Sequence, residues 1–371
     1  MIHQHLLETA LHLATQCLTL TSPNPRVGCV IASADGQVLG QGHTQCAGQA
    51  HAEIMALRDA QALGHPVHGA TAYVTLEPCA HQGRTGPCCD ALIEAGIKNV
   101  VAAGTDPDPR VAGEGFARMR AAGLTVEVLP IDHPIAIQAR ELNLGFFSRM
   151  VRKTPWVRMK IAASLDGKTA LDNGASQWIT SGEARADGHA WRARSCAVLT
   201  GIGTVLADNP KLDVRLVPTK RQPGLVVVDS RLQTPLDAAL FIADRPLWIW
   251  ATGQNDAKVL ALQAQGATVL LQPDGAGKMD LTAMMRDLAQ REINELHVEA
   301  GHKLNGSLIR AGLVDEFLVY LAPKMIGQGA DMSTFGPLAA LSQAVALVFQ
   351  SVDRIGPDLR IVARVIDRDK F

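Results

Sequence analysis

Residues 42–57 (GHTQCAGQAHAEIMAL) and 74–97 (VTLEPCAHQGRTGPCCDALIEAGI) decide the fold of the first half of the chain. The first stretch places His51 at the start of a predicted helix. The second places Cys79 after a short apolar strand and Cys88 at the start of another helix. Strands that alternate with helices are typical of a layered α/β domain. The periodicity extends this pattern with helices at 6–20, 114–122 and 135–147 and strands at 27–32, 38–41, 99–104 and 125–129.

Composition narrows the class of protein. The 371 residues suffice for two domains, and 47% hydrophobic with 19% charged residues excludes a disordered or fibrous chain. The net charge of −1 is unlike the basic balance of most nucleic-acid-binding proteins. There is no apolar run of about 18 residues, and the start lacks the basic segment of a secretory signal. Seven cysteines, an odd number in a long chain, favour a reducing compartment. We therefore expect a cytoplasmic protein without a membrane or nucleic-acid partner.

A basic stretch at 148–155, which ends in a proline, indicates a boundary between a domain at 1–150 and one at 151–371. A second α/β pattern starts there. Its predicted strands are 156–163, 197–200, 225–228, 247–251, 267–271, 296–299 and 316–321, followed by a closing hairpin at 344–351 and 359–365.

One imidazole and two thiolates in the first half are donors that suit zinc. His51, Cys79 and Cys88 would leave the fourth zinc position open to water. Glu53, two residues from His51, is free to act as general acid and base, as in the H-x-E and P-C signature of zinc deaminases. A closed zinc knuckle or unmetallated thiols are the alternatives. Cys89 is the competing ligand, but adjacent helical side chains diverge by about 100°.

The spacing of these ligands carries a resemblance to a known family. Most zinc deaminases have C-x-x-C, whereas eight residues separate Cys79 from Cys88 here. This insert, with PNPRVGCV at 23–30, resembles the deaminase domain of the bifunctional riboflavin-biosynthesis deaminase/reductase. Gly86 departs from the pattern, which has a second proline there. The resemblance implies substrate-binding roles for Asn24, His43, His81 and Arg84, although a turn Asn and surface loop residues are the plainer readings.

The second half resembles the reductase domain of the same family, which has a dihydrofolate-reductase-like fold. The motifs are KIAASLDGKTA (160–170), SQWITS (176–181), GIGTVLADNPKLDVR (201–215), VVVDS (226–230) and VEAGHKL (298–304). The glycines at 201 and 203 do not extend to G-x-G-x-x-G, because Leu206 stands where the last glycine would be. A Rossmann fold is therefore not indicated.

The resemblance implies roles for individual residues. The residues implied along NADPH are Ala162, Thr169, Ala170, Leu171, Asp172, Trp178, Thr204, Asp208, Ser230, Gly301, His302, Lys303, Leu304, Asn305, Gly306 and Ser307. Those implied at the substrate are Ser176, Arg192, Leu212, Arg215 and Glu299, and arginine suits its phosphate because the guanidinium donates two parallel hydrogen bonds. Lys160 is a further candidate at the sugar, and the proton donor of the reduction stays open between Glu299 and Asp208.

Together these observations predict an N-terminal cytidine-deaminase-like α/β/α domain and a C-terminal dihydrofolate-reductase-like α/β domain. By resemblance, the first would deaminate 2,5-diamino-6-(5-phosphoribosylamino)pyrimidin-4(3H)-one with zinc. The second would reduce 5-amino-6-(5-phosphoribosylamino)uracil with NADPH, and the chain would form homo-oligomers. The alternatives are a zinc deaminase of another nucleobase fused to an unrelated nucleotide-binding domain, and a zinc-stabilised binding protein without catalysis.

Overall fold

A computed structural model of the chain describes residues 4–80, 86–108, 112–253 and 255–371. The chain divides into two compact units, Met1–Lys153 and Thr154–Phe371. No helix within the described ranges is both long enough and apolar enough to cross a membrane.

The first unit is a five-stranded sheet between two layers of helices. Its strands lie in the order β2-β1-β3-β4-β5, with β1 antiparallel to both neighbours and the last three parallel. The elements are α1 (Gln4–Thr15), β1 (Gly28–Ala32), β2 (Val38–His43), α2 (Ala52–Ala62), β3 (Thr71–Val74), α3 (Cys88–Glu94), β4 (Asn99–Ala102), α4 (Glu114–Ala121), β5 (Thr125–Val128), α5 (Pro134–Leu142) and α6 (Leu144–Arg152).

Alternation along the strands sends apolar side chains to both faces of this sheet. Cys29 and Ile31 of β1 join a core with α2, α3 and α4, whereas Val30 and Ala32 join another with α1 and α5. The expected α/β/α architecture is thereby confirmed.

One sequence expectation near the end of this unit was wrong. The single helix at 135–147 is broken into α5 and α6 at Asn143, whose side chain binds both the N–H and the carbonyl of Arg26. The division between the two units, after Lys153, lies within the basic stretch at 148–155. Phe146 and Met150 pack into the core, and this burial continues α6 through the basic residues Arg149 and Arg152.

The second unit is built on a nine-stranded sheet in the order β11-β10-β9-β8-β12-β6-β13-β16-β15. The strands from β11 to β13 run parallel, and the closing hairpin β15–β16 adds antiparallel to β13. The strands are β6 (Trp156–Ser164), β7 (Lys168–Leu171), β8 (Ala197–Gly201), β9 (Gly224–Val228), β10 (Leu247–Ala251), β11 (Ala267–Leu271), β12 (Glu295–Val298), β13 (Glu316–Ala322), β14 (Gly329–Asp331), β15 (Leu347–Ile355) and β16 (Asp358–Val365).

Helices cover both faces of this sheet: α7 (Gly182–Arg194), α8 (Ile202–Asp208), α9 (Asp256–Ala264), α10 (Leu281–Gln290) and α11 (His302–Arg310). Every strand predicted in this half is present. The sequence did not predict β7 and β14, which are short and half-exposed and pair only with each other. Their pairing joins residues about 160 apart, which no local pattern reveals.

Candidate active sites

A cluster of metal-donor atoms lies where α2, α3 and the end of β3 meet. His51 is the N-cap of α2, Cys88 is the first residue of α3, and Cys79 follows β3. The three donor atoms all lie within 4.8 Å of one another. The Nδ1 atom of His51 is 3.4 Å from the Cys88 sulfur and 3.7 Å from the Cys79 sulfur. The structure thus brings together the three residues that the sequence singled out.

The spacing of these atoms fits a zinc ion. Zinc–nitrogen and zinc–sulfur bonds of about 2.0 and 2.3 Å at tetrahedral angles place the two donors about 3.5 Å apart. The backbone N–H of Cys88 donates to the Cys79 sulfur over 3.4 Å. Hydrogen bonds from the Cys88 thiol and from His51 lower the pKa of Cys79 well below its usual value, so a thiolate is favoured there. The Cys89 thiol points instead towards Asp90 and the core.

Glu53 lies one residue inside α2, and its side chain is buried. Burial, with the negative charge of Cys79, raises the pKa of this carboxyl group to about 7. A carboxyl group that titrates near neutral pH can both take up and return a proton. This chemistry suits a general acid and base beside the donor cluster.

Asn24 lies on the other side of the His51 ring. Its side-chain nitrogen is assigned 3.5 Å from the Nε2 atom of His51. The Nδ1 atom faces the two sulfurs, so the ring hydrogen is on Nε2. The Asn24 amide then faces Nε2 with its oxygen, which accepts this hydrogen bond. The structure therefore gives Asn24 a contact with a metal-donor residue, which the sequence did not foresee. His43 ends β2, and its carbonyl accepts from the Gln45 amide. His81 and Arg84 lie outside the described residues.

Sequence reasoning missed Glu77, a buried carboxylate two residues before Cys79. It accepts hydrogen bonds from the backbone N–H groups of Gly113 (2.9 Å) and Phe116 (3.2 Å) at the start of α4. Gly115 lies so close that a Cβ atom there would be 2.1 Å from the Pro78 carbonyl oxygen. Glu77 thereby ties α4 to the turn that carries Cys79. The available signal was an acidic residue directly before Pro-Cys at a strand end.

The second unit gathers charged side chains around Glu299, which follows β12. Arg192 of α7 donates to Glu299 over 2.8 Å, and the Lys160 ammonium of β6 lies 3.7 Å from the same carboxylate. Burial raises the pKa of Glu299, but Arg192 and Lys160 outweigh it and hold the pKa well below its usual value. Glu299 therefore stays ionised, accepts hydrogen bonds and has no proton to donate. His297, also missed from the sequence, is fully buried 3.4 Å from this carboxylate.

The loop after α8 brings two of the predicted substrate residues to this cluster. Arg192 donates to the Asp213 carbonyl, and Arg215 pairs with the Asp213 carboxylate at 2.5 Å. The Arg215 N–H donates to His189 of α7 over 3.1 Å. The Leu212 side chain is buried in the core, so only its backbone is available to a ligand. Ser176 is itself half-buried in the largely exposed segment before α7.

Two glycines lie where two adjacent inner strands of the nine-stranded sheet end. Gly201 and Gly301 are the N-caps of α8 and α11, which follow the adjacent strands β8 and β12. A Cβ atom on Gly301 would lie 3.8 Å from the Thr204 hydroxyl, and one on Gly201 would lie 3.1 Å from Leu304. Glycine brings no side chain to the first N–H groups of α11, so a phosphate can approach them. This arrangement fits the phosphate of a nucleotide cofactor.

The remaining cofactor candidates are distributed over several strands, helices and loops of the second unit. Ala162 is in β6. Thr169, Ala170 and Leu171 are in β7, and Asp172 follows this strand. Asp208 is the last residue of α8, and Ser230 follows β9. The exposed Trp178 ring has the Arg185 guanidinium 4.5 Å from its centre. His302, Lys303 and Ser307 lie in α11 with Leu304. Asn305 donates to the Met332 carbonyl, and a Cβ atom on Gly306 would overlap the Thr334 carbonyl. These last two positions therefore contact the segment at 332–334 in this structure.

The fold and the donor sets define a two-domain enzyme, a zinc deaminase joined to a nucleotide-dependent reductase. Residues 1–104 match the cytidine and deoxycytidylate deaminase zinc-binding region, and residues 155–361 match the RibD C-terminal domain. The chain belongs to the RibD family of riboflavin biosynthesis proteins, as its sequence motifs predicted.

Relatives across the family cover both units. The riboflavin biosynthesis protein RibD of Escherichia coli is 44% identical, over 96% of this chain and 97% of its own. RibD of Acinetobacter baumannii has a solved structure with a TM-score of 0.87 and 37% identity, covering 98% of this chain and 99% of its own. The diaminohydroxyphosphoribosylaminopyrimidine deaminase/5-amino-6-(5-phosphoribosylamino)uracil reductase of Thermotoga maritima has a TM-score of 0.85 and 30% identity, with 98% and 100% covered.

Proposed function

We propose that the chain carries out two consecutive steps on one phosphorylated pyrimidine. The first unit removes an amino group from 2,5-diamino-6-(5-phosphoribosylamino)pyrimidin-4(3H)-one by hydrolysis. The second reduces the ribosyl chain of 5-amino-6-(5-phosphoribosylamino)uracil with NADPH. The observation that carries the proposal is the cluster of His51, Cys79 and Cys88 with the buried Glu53 beside it. A binding protein would not need a proton-transferring carboxyl group at a zinc-competent donor set.

In the deamination, His51, Cys79 and Cys88 would hold zinc, which would supply the Lewis acidity that makes water nucleophilic at neutral pH. The Glu53 carboxylate takes one proton from the attacking water and gives it to the pyrimidine ring nitrogen, because its raised pKa matches neutral solution. It then takes the second proton from the hydroxyl group added to the ring and gives it to the leaving amino group, which departs as ammonia. The Asn24 amide orients the His51 ring. His43 and Arg84 stay proposed substrate contacts.

In the reduction, the first N–H groups of α11, next to Gly301 and Thr204, would hold a phosphate of NADPH, which would supply the hydride for C1 of the opened ribosyl group. The chain then has to bind the phosphate, orient the sugar and supply a proton. Arg192 and Arg215, with the Leu212 backbone and Ser176, are proposed to hold the phosphate. Glu299 accepts from sugar hydroxyls because it stays ionised, and the adjacent Lys160 ammonium is a further proposed contact of the sugar. Of the two candidate proton donors, Glu299 is thereby excluded, and Asp208, whose pKa is raised by burial, remains.

Incubation of the protein with the diaminopyrimidine phosphate, with and without NADPH, tests the proposal by mass spectrometry. We expect the deaminated product alone without NADPH and the deaminated, reduced product with it. Full-length Glu53→Gln is expected to reduce the deaminated substrate but to leave the diamino substrate unchanged. Turnover of cytidine or of adenosine in tRNA, with none of the pyrimidine phosphate, would favour the other nucleobase deaminase.

We also propose that the chain assembles with copies of itself. Strand β15 is an edge of the nine-stranded sheet, and its Leu347, Val348, Phe349 and Val352 side chains are exposed. Exposed edge strands with apolar side chains are typical association sites. Light scattering is expected to give a multiple of the chain mass, and Phe349→Ser is expected to lower it. The free thiols at the donor cluster suit the cytoplasm, the proposed compartment.

A further inference from the structure

Arg245, just before β10, contacts the proposed substrate loop although it lies outside every motif of the resemblance. Its guanidinium donates to the Leu212 carbonyl over 2.5 Å and to the Lys211 carbonyl. The next carbonyl along the loop, that of Asp213, accepts from Arg192. Two arginines from separate elements therefore bind three consecutive carbonyl groups.

The loop needs such support because its backbone is unusual. Asn209 has a φ of 40° and Leu212 a φ of 51°, in the left-handed region that L residues rarely adopt. Leu212 is held from both ends, since its side chain is buried in the core and its carbonyl is bound by Arg245. Arg245 thus fixes the conformation that carries the chain to Arg215.

The charges around the loop do not balance. The cations Lys160, Arg192, Arg215 and Arg245 face the carboxylates Asp213 and Glu299. Burial and the neighbouring arginines lower the pKa of His189 to about 4, so that histidine adds no charge at neutral pH. Burial first, and then repulsion from Arg192, lower the pKa of Arg245 to about 10. These side chains, with Lys211 of the loop itself, leave an excess of positive charge, which suits a phosphate monoester with its about 1.5 to 2 negative charges.

We infer that Arg245 is a positioning residue for the reductase substrate: it fixes the loop from Lys211 to Arg215 and adds positive charge for the substrate's phosphate group. The inference rests on the proposed reductase function. Arg245 is expected to act on phosphate affinity and not on hydride transfer, because its hydrogen bonds go to the loop backbone.

The test compares Arg245→Gln, which removes the charge, with Arg245→Lys, which keeps it but loses the two-pronged donor. The exposed Arg286 of α10 supplies the control variant, Arg286→Gln. Arg245→Gln is expected to raise KM for the phosphorylated substrate about tenfold. Its kcat, its KM for NADPH and its KM for the dephosphorylated substrate should stay near those of the parent. The KM of Arg245→Lys for the phosphorylated substrate is expected to lie between those of the parent and of Arg245→Gln. Arg286→Gln is expected to match the parent.

Binding of ribose 5-phosphate, measured by calorimetry against ribose, gives a readout that does not depend on turnover. We expect Arg245→Gln to raise the Kd for ribose 5-phosphate about tenfold. An equal effect on phosphorylated and dephosphorylated substrates, or none on either, would overturn the inference. If Arg215→Ala weakens the binding of ribose 5-phosphate while Arg245→Gln does not, only the inference about Arg245 fails. If the parent protein neither reduces the pyrimidine nor binds ribose 5-phosphate, the proposed function fails with it. Thermal unfolding in the presence of NADPH shows whether Arg245→Gln is folded. If it is not, the KM and the ribose 5-phosphate affinity of Arg245→Lys test the inference instead.

Discussion

The two sites of this chain are built in opposite ways. The zinc-donor cluster takes all its ligands from a short segment, with His51 and Cys88 only 37 residues apart and each at a helix start. The reductase site draws on residues far apart in sequence, such as Arg192 and Glu299, which are 107 residues apart. Metal donors are few in kind and have fixed spacing, whereas arginines and carboxylates are common on any surface. The first site could therefore be read from residue chemistry, and the second mainly through family resemblance.

Loss of a metal donor is expected to have the largest effect. Cys88→Ser should lose bound zinc and with it all measurable deamination, because only two strong donors remain. The matched variant Cys89→Ser should keep one zinc per chain, because the Cys89 thiol points towards Asp90. Metal analysis of the two purified proteins measures this. Zinc retained in Cys88→Ser and lost in Cys89→Ser would reverse the ligand assignment.

Glu53→Gln tests the proton-transferring group of the same compact site. The amide is nearly isosteric but cannot carry a proton, so deamination should fall at least ~100-fold while zinc stays bound. Reduction of the deaminated substrate by the same protein should be unchanged, which sharpens the contrast between the sites. Near-normal deamination in a zinc-loaded variant would remove Glu53 from the mechanism.

Arg215→Ala tests a single contact of the dispersed site. Loss of a charge-assisted bond to phosphate is expected to cost about 2 kcal/mol, or a rise in KM of about 30-fold for the phosphorylated substrate. Deamination by the first unit should be spared. Steady-state kinetics with a dephosphorylated substrate provide the control: if both substrates suffer alike, the partner of Arg215 is not the phosphate.

The smallest expected effect is on stability in acid. Burial first, and then Arg192 and Arg215, lower the pKa of His189 to about 4. An unfolded histidine binds a proton near pH 6.5, so the stabilisation is complete above that pH and is lost as pH falls towards 4. His189→Gln keeps an acceptor for the Arg215 N–H but does not titrate. Its Tm should fall less than that of the parent between about pH 7 and about pH 5. An identical fall in both proteins would show that His189 does not govern this transition.

The sequence predicted regular elements well where one physical signal acts alone. β10 and β11 have the expected bounds because short apolar runs between polar turns favour strands, whether buried as in β10 or at the sheet edge as in β11. The hairpin of β1 and β2 forms around Asp35-Gly36 as the turn chemistry indicates. The break at Asn143 could not be predicted, because it depends on hydrogen bonds to Arg26, 117 residues away.

By itself, the sequence determined the α/β class of both halves and singled out the three candidate metal donors and the neighbouring carboxyl group proposed as the acid and base. Those conclusions follow from residue type and short spacing, which can be read from the sequence without knowledge of the fold. Only the tertiary structure decided that Glu77 caps α4, that Glu299 stays ionised between Arg192 and Lys160, and that Arg245 binds the loop from Lys211 to Arg215. The physical reason is that a charged side chain acquires its role from its burial and its partners. Sheet pairing and packing choose those partners among many equivalent residues.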